Sequence, residues 1–307
     1  MSNKINVFSP STIANVGCGY DVLGFALDGI GEYMEVSSRS DGELVIEKIE
    51  GFDLPKDPKV NVATIAAQAL LDALDSQQGF SFSMKKNINP GSGLGTSASS
   101  SAGAVFAVNE LLGKPFSPME LVSFAMQGEK ALSNVAHADN VAPNLLGGFT
   151  LVRSYIPLEV LQLPVPKDLY VAIVHPQIEV KTTDAKQMLK KQVDLGVAVQ
   201  QWGNVGGLVS GLYESDYNLI GRSMEDFIVE PIRKILIPRY DEVKQEALNE
   251  GALGCSIAGS GPSIFAFCEG EEVAEKIKNK MQSMYDEIGV LAYSYLSKVG
   301  LEGVKKV

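Results

Sequence analysis

The chemistry-bearing residues of this chain are densest in NPGSGLGTSASSSAG, residues 89–103. Glycines stand at 91, 93 and 95, and hydroxyls at Ser92, Thr96, Ser97, Ser99, Ser100 and Ser101. Phe80, Phe82 and Met84 alternate and predict a strand over 80–86, while residues 97–112 predict a helix ended by Gly113. A helix N-terminus presents unpaired N–H groups and a partial positive charge, and glycines before it let backbone approach a phosphate. The run Pro90, Gly91, Ser92, Gly93, Leu94, Gly95, Thr96, Ser97, Ala98, Ser99, Ser100 therefore predicts a phosphate cradle. Thr96 and Ser97 could add hydrogen bonds or reach a Mg²⁺ held by the phosphates. No lysine follows Gly95, so this is not a Walker loop, and it is not GxGxxG. A Gly/Ser linker is the competing reading; the tight seating between two periodic segments argues against it.

Three further stretches are weaker alone. SPSTIANVGCGYDVLG (9–24) places Asn15 and Asp21 among glycines, and AHADNVAPNLLGG (136–148) clusters His137, Asp139 and Asn140 before Pro143. SIAGSGPSIFAF (256–267) has glycines at 259 and 261 before a strand. Each in isolation reads as a turn or polar loop whose side chains bond the backbone.

Strands are predicted at 4–9 (ended by Pro10), 32–38, 43–49, 147–155, 169–176, 263–270 and 291–300. Helices are predicted at 60–76, at 117–132 with a Ser117/Glu120 capping box and Pro118 at the first position, and at 182–194, 199–213, 216–228, 238–250 and 271–287. The Pro-containing stretch 155–168 is the best domain boundary, and the class is α+β in two domains. With 307 residues and 45% hydrophobic content, a substantial core is expected.

A net charge of −11 and no basic stripe argue against nucleic acid as a partner. No apolar run approaches a membrane span, and MSNKINVFSPST holds no signal-peptide core, so a cytoplasmic protein is expected. Cys18, Cys255 and Cys268 show no CxxC spacing, and two histidines cannot build a histidine-rich metal site.

Taken together, the four stretches resemble the GHMP kinase superfamily in type, order and spacing. The 9–24 stretch resembles its first motif, PGSGLGTSAS its phosphate-binding GLGSSAA-bearing signature, and AGSGP (258–262) its third. Within the superfamily, SPSTIAN…GYDVLG, HADNVAPNLLGG, HPQIEVKTTDA (175–185) and EPIRKILIPRY (230–240) resemble the homoserine kinase family. The resemblance implies a ribosomal-protein-S5-like N-terminal domain (1–160) and a ferredoxin-like α/β sandwich (161–307). It implies ATP wrapped by residues 90–100, Mg²⁺ held by Ser97 and Glu129, and Asn61 near the adenine. It implies L-homoserine bound by Asn15, Asp21, His137, Asn140 and Arg233, with Asn140, Thr182 and Lys186 acting in catalysis, and it makes a homodimer plausible. Asp21 suits an ammonium and Arg233 a carboxylate. The family pattern T-x-x-A-R reads Thr182-Thr183-Asp184-Ala185-Lys186 here, so charge is kept but the planar fork is lost. The alternatives are another GHMP small-molecule kinase, for mevalonate or a sugar, and a non-catalytic nucleotide-binding relative.

Overall fold

The computed structural model describes residues 3–133, 135–178 and 188–307. Two sheets organise it. The first holds β1 (Lys4–Ala14), β2 (Leu23–Arg39), β3 (Leu44–Glu50), β4 (Gly79–Lys86), β5 (Phe149–Tyr155), β6 (Leu158–Leu163) and β11 (Lys305–Lys306). Its main path runs β11-β1-β2-β4-β3, and β5 pairs with the start of β2 and with β6. The second is antiparallel, in the order β10 (Ala292–Lys298), β7 (Leu169–Pro176), β9 (Ile264–Glu269), β8 (Gly254–Ile257).

Helices α1 (Val62–Ala73), α2 (Thr96–Leu111), α3 (Pro118–Ser133) and the short α4 (Val141–Leu146) follow the first sheet's strands in sequence. One buried apolar cluster joins α1, α2 and α3 to β2 and β4. The capping box forms as expected, with the Ser117 backbone N–H donating to the Glu120 carboxylate at 2.8 Å and the Glu120 N–H donating back to Ser117 Oγ at 3.4 Å. Later come α5 (Leu195–Glu214), α6 (Tyr217–Arg222), α7 (Glu230–Arg233), α8 (Tyr240–Asn249) and α9 (Glu271–Asp286).

The two sheets share a core. Phe25 and Phe149 of the first lie 5.2 Å and 6.2 Å, ring to ring, from Phe267 of the second, and all three side chains are fully buried. An aromatic wedge of this kind removes a large apolar area from water and fixes the mutual placement of the sheets. The loops at their junction therefore meet at a defined place. An expected boundary at 160/161 falls within β6, which pairs with β5; the change of sheet comes between Leu163 and Leu169.

Several local expectations need correction. Pro10 does not end the first strand: β1 continues to Ala14 through a register shift between Pro10 and Thr12, where the missing N–H of proline costs no ladder bond. The helix expected over 216–228 stops at Arg222. Beyond it the Asp226 carboxylate accepts the N–H groups of Ile228, Val229 and Glu230 at 2.8–3.0 Å, a side-chain competitor for helical bonds that starts α7 instead. Residues 188–194 are turn and coil, and the helix begins at Leu195 behind an Asp194 cap. The rest of that expected helix, with Thr182 and Lys186, lies outside the described residues. All three cysteines are free and buried.

Candidate active site

Residues 89–95 turn back on themselves after β4 and deliver the chain into α2, with Ser92 N–H donating to the Asn89 carbonyl at 3.2 Å. Gly95 sits at the helix N-cap position with φ 61°, and no side chain caps the first turn, which also carries no acidic residue. The first N–H groups of a 16-residue helix are thus left for a ligand. A Cβ on Gly93 would stand 2.3 Å from the Ala258 carbonyl oxygen, and one on Gly95 would stand 2.1 Å from Thr12 Oγ1. These two glycines let the loop pass under the 258–261 turn and under β1.

The loop floors a cavity of about 310 Å³ at the sheet junction. Of the sequence-expected cradle, Pro90, Gly91, Gly93, Gly95, Thr96, Ser97 and Ser100 line it. Ser92, Leu94, Ala98 and Ser99 do not; their side chains are buried in the fold. Leu94 and Ala98 join apolar clusters, Ser92 Oγ accepts the Leu94 N–H at 3.3 Å, and Ser99 Oγ donates to the Pro10 carbonyl at 2.5 Å. Ser92 and Ser99 are thus structural, Ser99 because its face of α2 packs on β1.

At one end of the cavity Leu54, Pro55, Val60, Val62, Met84 and Leu132 form an apolar mouth. Asn61 lines the cavity there, but its amide is spent locally: Oδ1 accepts the Ala63 N–H at 3.0 Å and Nδ2 donates to the Pro55 carbonyl at 2.8 Å, capping α1. Polarity at fixed distance from a helix start was the signal for that cap.

At the other end stand Asn15, Asp21, His137, Asp139, Asn140, Arg233, Gly259 and Ser260. Asn15 and Asp21 both take left-handed backbone, φ 61° and 57°, a conformation non-glycine residues hold only when their surroundings impose it. Asn15 Oδ1 accepts the Asp21 N–H at 2.8 Å, and its Nδ2 donates to the Gly259 carbonyl at 3.0 Å. Arg233 Nη1 donates to the same carbonyl at 3.1 Å, and its guanidinium lies 5.1 Å over the Tyr20 ring. His137 Nδ1 is 3.4 Å from Asp21 Oδ1. Asn140 Oδ1 accepts from Thr12 Oγ1 at 2.8 Å. Tyr155 donates to the Asp21 carbonyl at 2.8 Å and accepts the Ala138 N–H at 3.3 Å, tying the 15–22 loop to the 136–140 loop. Tyr20, Thr12 and Tyr155 are missing from the sequence reading; an isolated tyrosine or threonine gives no signal of what it will touch.

Asp139 is fully buried, and its Oδ1 finds no hydrogen-bond partner. Burial first, then the charges of Asp21 and Glu129, push its carboxyl up to about 8. At neutral pH it is mostly the neutral acid.

Among the described residues no cluster of three or more His, Cys, Asp or Glu side chains could hold a metal on its own. Ser97 and Glu129 nevertheless line one cavity with the α2 terminus. Hard oxygen donors of this number suit a Mg²⁺ whose remaining ligands are phosphates and water.

A helix terminus open to phosphate, facing a pocket with both an acid and an arginine, suits phosphoryl transfer to a small charged acceptor. The chain belongs to the GHMP kinases: the family model for the GHMP kinases N terminal domain matches residues 61–148, and that for the GHMP kinases C terminal matches residues 208–287. Within that superfamily it belongs to the homoserine kinases. It is 47% identical over 300 residues to the homoserine kinase of Chloroherpeton thalassium, an overlap of 94% of each chain. It superposes on the crystal structure of homoserine kinase from Cytophaga hutchinsonii with a TM-score of 0.96 at 49% identity, covering 100% of this chain and 98% of that one. The fold alone extends to the Lactococcus lactis galactokinase, at TM-score 0.71 and 16% identity over 99% of this chain and 95% of that one. No helix among the described residues is long and apolar enough to cross a membrane.

Proposed function

We infer that this chain transfers the γ-phosphoryl group of ATP to the side-chain hydroxyl of L-homoserine, giving O-phospho-L-homoserine and ADP. The observation that carries the reading is the pairing of Asp21 and Arg233 in the same cavity as the uncapped α2 terminus. An amino-acid substrate offers an ammonium and a carboxylate, and these two side chains answer both. A mevalonate or sugar acceptor would leave Asp21 without a cation. A coupled assay for ADP release across L-homoserine, mevalonate, galactose and shikimate tests this. Turnover with L-homoserine well above the others is expected; a preference for an acceptor without an ammonium would overturn the reading.

The purine fits the apolar mouth near Asn61, and the phosphates fit the loop from Pro90 to Ser100. Bound there, a Mg²⁺ held by Ser97, Glu129 and the phosphates would neutralise phosphate charge. The homoserine hydroxyl attacks the γ-phosphorus in line as the bond to the bridging oxygen of ADP breaks, and the chain's contribution is positioning and electrostatics. Asn140, fixed through Thr12, stands between the loop and the amino-acid pocket and orients the acceptor. Roles for Thr182 and Lys186 in the same step follow from family resemblance.

Among the described residues Asp139 is the one carboxyl at the acceptor end of the cavity not assigned to a ligand, and burial keeps it mostly in the protonated form, which has no free charge to accept another proton. Proton loss from the hydroxyl then comes late, onto the transferred phosphoryl. Asp139→Asn is accordingly expected to keep kcat within about tenfold of wild type. A fall of several orders of magnitude with intact folding would sink this assignment. Stability gives an independent check. The native state holds the proton that the unfolded chain loses above about pH 4, so wild-type stability drains as pH rises towards 8. The melting-temperature advantage of the apo Asn variant should widen between pH 5 and pH 8 and stay flat beyond.

A further inference from the structure

The missing lysine of the glycine loop has a counterpart that the sequence does not place there. Glu32 of β2 and Lys86 of β4 sit directly opposite one another in the ladder, on the face covered by α2. Their side chains are 4% and 5% exposed, and Lys86 Nζ lies 2.5 Å from Glu32 Oε2. Each then reaches into the first turn of α2. Lys86 Nζ donates to the Thr96 carbonyl at 3.1 Å, and Ser100 Oγ donates to Glu32 at 2.8 Å and 3.1 Å. Thr96 and Ser100 bracket Ser97 and supply the turn whose N–H groups face the cavity, and Lys86 lines that cavity beside them.

A buried ion pair is a poor stabiliser, because desolvating two charges offsets much of their attraction. A pair whose remaining bonds all go to one turn of one helix is well made for fixing that turn. We propose that Glu32 and Lys86 are positioning residues for ATP: they lock the Thr96–Ser100 turn so that the open end of α2 and the Ser97 hydroxyl meet the nucleotide phosphates. The lysine acts from beneath, through the Thr96 carbonyl, while Glu32 holds it there. In a Walker loop the corresponding charge is carried on the loop itself. The proposal rests on reading the cavity as the ATP site.

The test is calorimetric binding of Mg-ATP and of adenosine to the full chain and to Glu32→Gln/Lys86→Met. That double change removes both charges together and keeps similar volumes, so no buried charge is left alone. The dissociation constant for ATP should rise about tenfold or more, with adenosine within about twofold, because only the phosphates meet the turn. Lys86→Arg should restore part of the loss. ATP binding equal to wild type in the folded double variant overturns the proposal. So does equal weakening of ATP and adenosine, which marks a general structural role. If the double variant does not fold, Glu32→Asp keeps both charges but shortens the reach to Ser100; it should show the same ATP-selective loss in milder form, and unchanged ATP binding there also overturns the proposal. A wild type that binds no Mg-ATP would instead bring down the functional reading itself.

Discussion

Gly95→Ala is expected to lower kcat/KM for ATP by at least about a hundredfold while leaving a folded protein. Two costs combine. Gly95 has φ 61°, where an alanine loses roughly 1–2 kcal/mol relative to its preferred backbone. Its Cβ would also stand 2.1 Å from Thr12 Oγ1 and 2.7 Å from Asn140 Oδ1, the two atoms of one hydrogen bond. Neither can give way cheaply: Thr12 belongs to β1, and Asn140 precedes the buried α4. The loop must move instead, and displacement of a positioned group by about 1 Å costs on the order of a hundredfold in rate. Steady-state kinetics with each substrate varied, beside thermal melting, would show it. Thr12→Ala in the same chain opens space and should recover part of the loss. A Gly95→Ala enzyme with wild-type kcat/KM for ATP would mean the loop is not held where the structure puts it.

Arg233→Met should cut kcat/KM for L-homoserine by about a thousandfold, with KM for ATP moved only a few-fold, on the scale known for truncating one side of a buried charge pair. Arg233 is 2% exposed, and a guanidinium at that depth is held by what surrounds it: the Gly259 carbonyl at 3.1 Å and the Tyr20 ring at 5.1 Å. A guanidinium offers a planar carboxylate a two-pronged fork, which no thioether can replace. The diagnostic measurement uses 3-amino-1-propanol, an acceptor with the ammonium and hydroxyl but no carboxylate. Wild type and variant should turn it over at similarly low rates. If the variant loses as much on this amino alcohol as on homoserine, Arg233 does not read the carboxylate. Arg233→Lys should fall between the two, keeping charge but not the fork.

How much of this was legible beforehand follows from how far each signal reaches along the chain. The strand, the glycine loop, the helix and the Ser117/Glu120 cap depend on neighbours within four or five positions, and all four appear where the spacing put them. The length of β2, 17 residues, was half seen, since only its regularly alternating end shows a period. The short elements α4, α7 and β8, of four to six residues, carry too few periods to be read at all. The Asp226 turn was misread as helix because apolar spacing continues through it while a carboxylate takes the backbone bonds.

By itself the sequence offered a glycine loop ahead of a helix, the pattern of a phosphate cradle, with an acid and an arginine elsewhere in the chain. Those facts live in residue types, and resemblance to a family placed them in one site. Tertiary structure decided which hydroxyls face the cavity and which are struts, since rotation about α2 turns Ser97 to the cavity and Ser99 to Pro10. It decided that Asp139 keeps its proton, because desolvation is a property of surroundings and not of an aspartate. It also brought Lys86 and Glu32, 54 positions apart, beneath the loop that has no lysine of its own. Hydrogen bonds and buried charges act over a few ångströms in space, and only folding sets which residues lie that close.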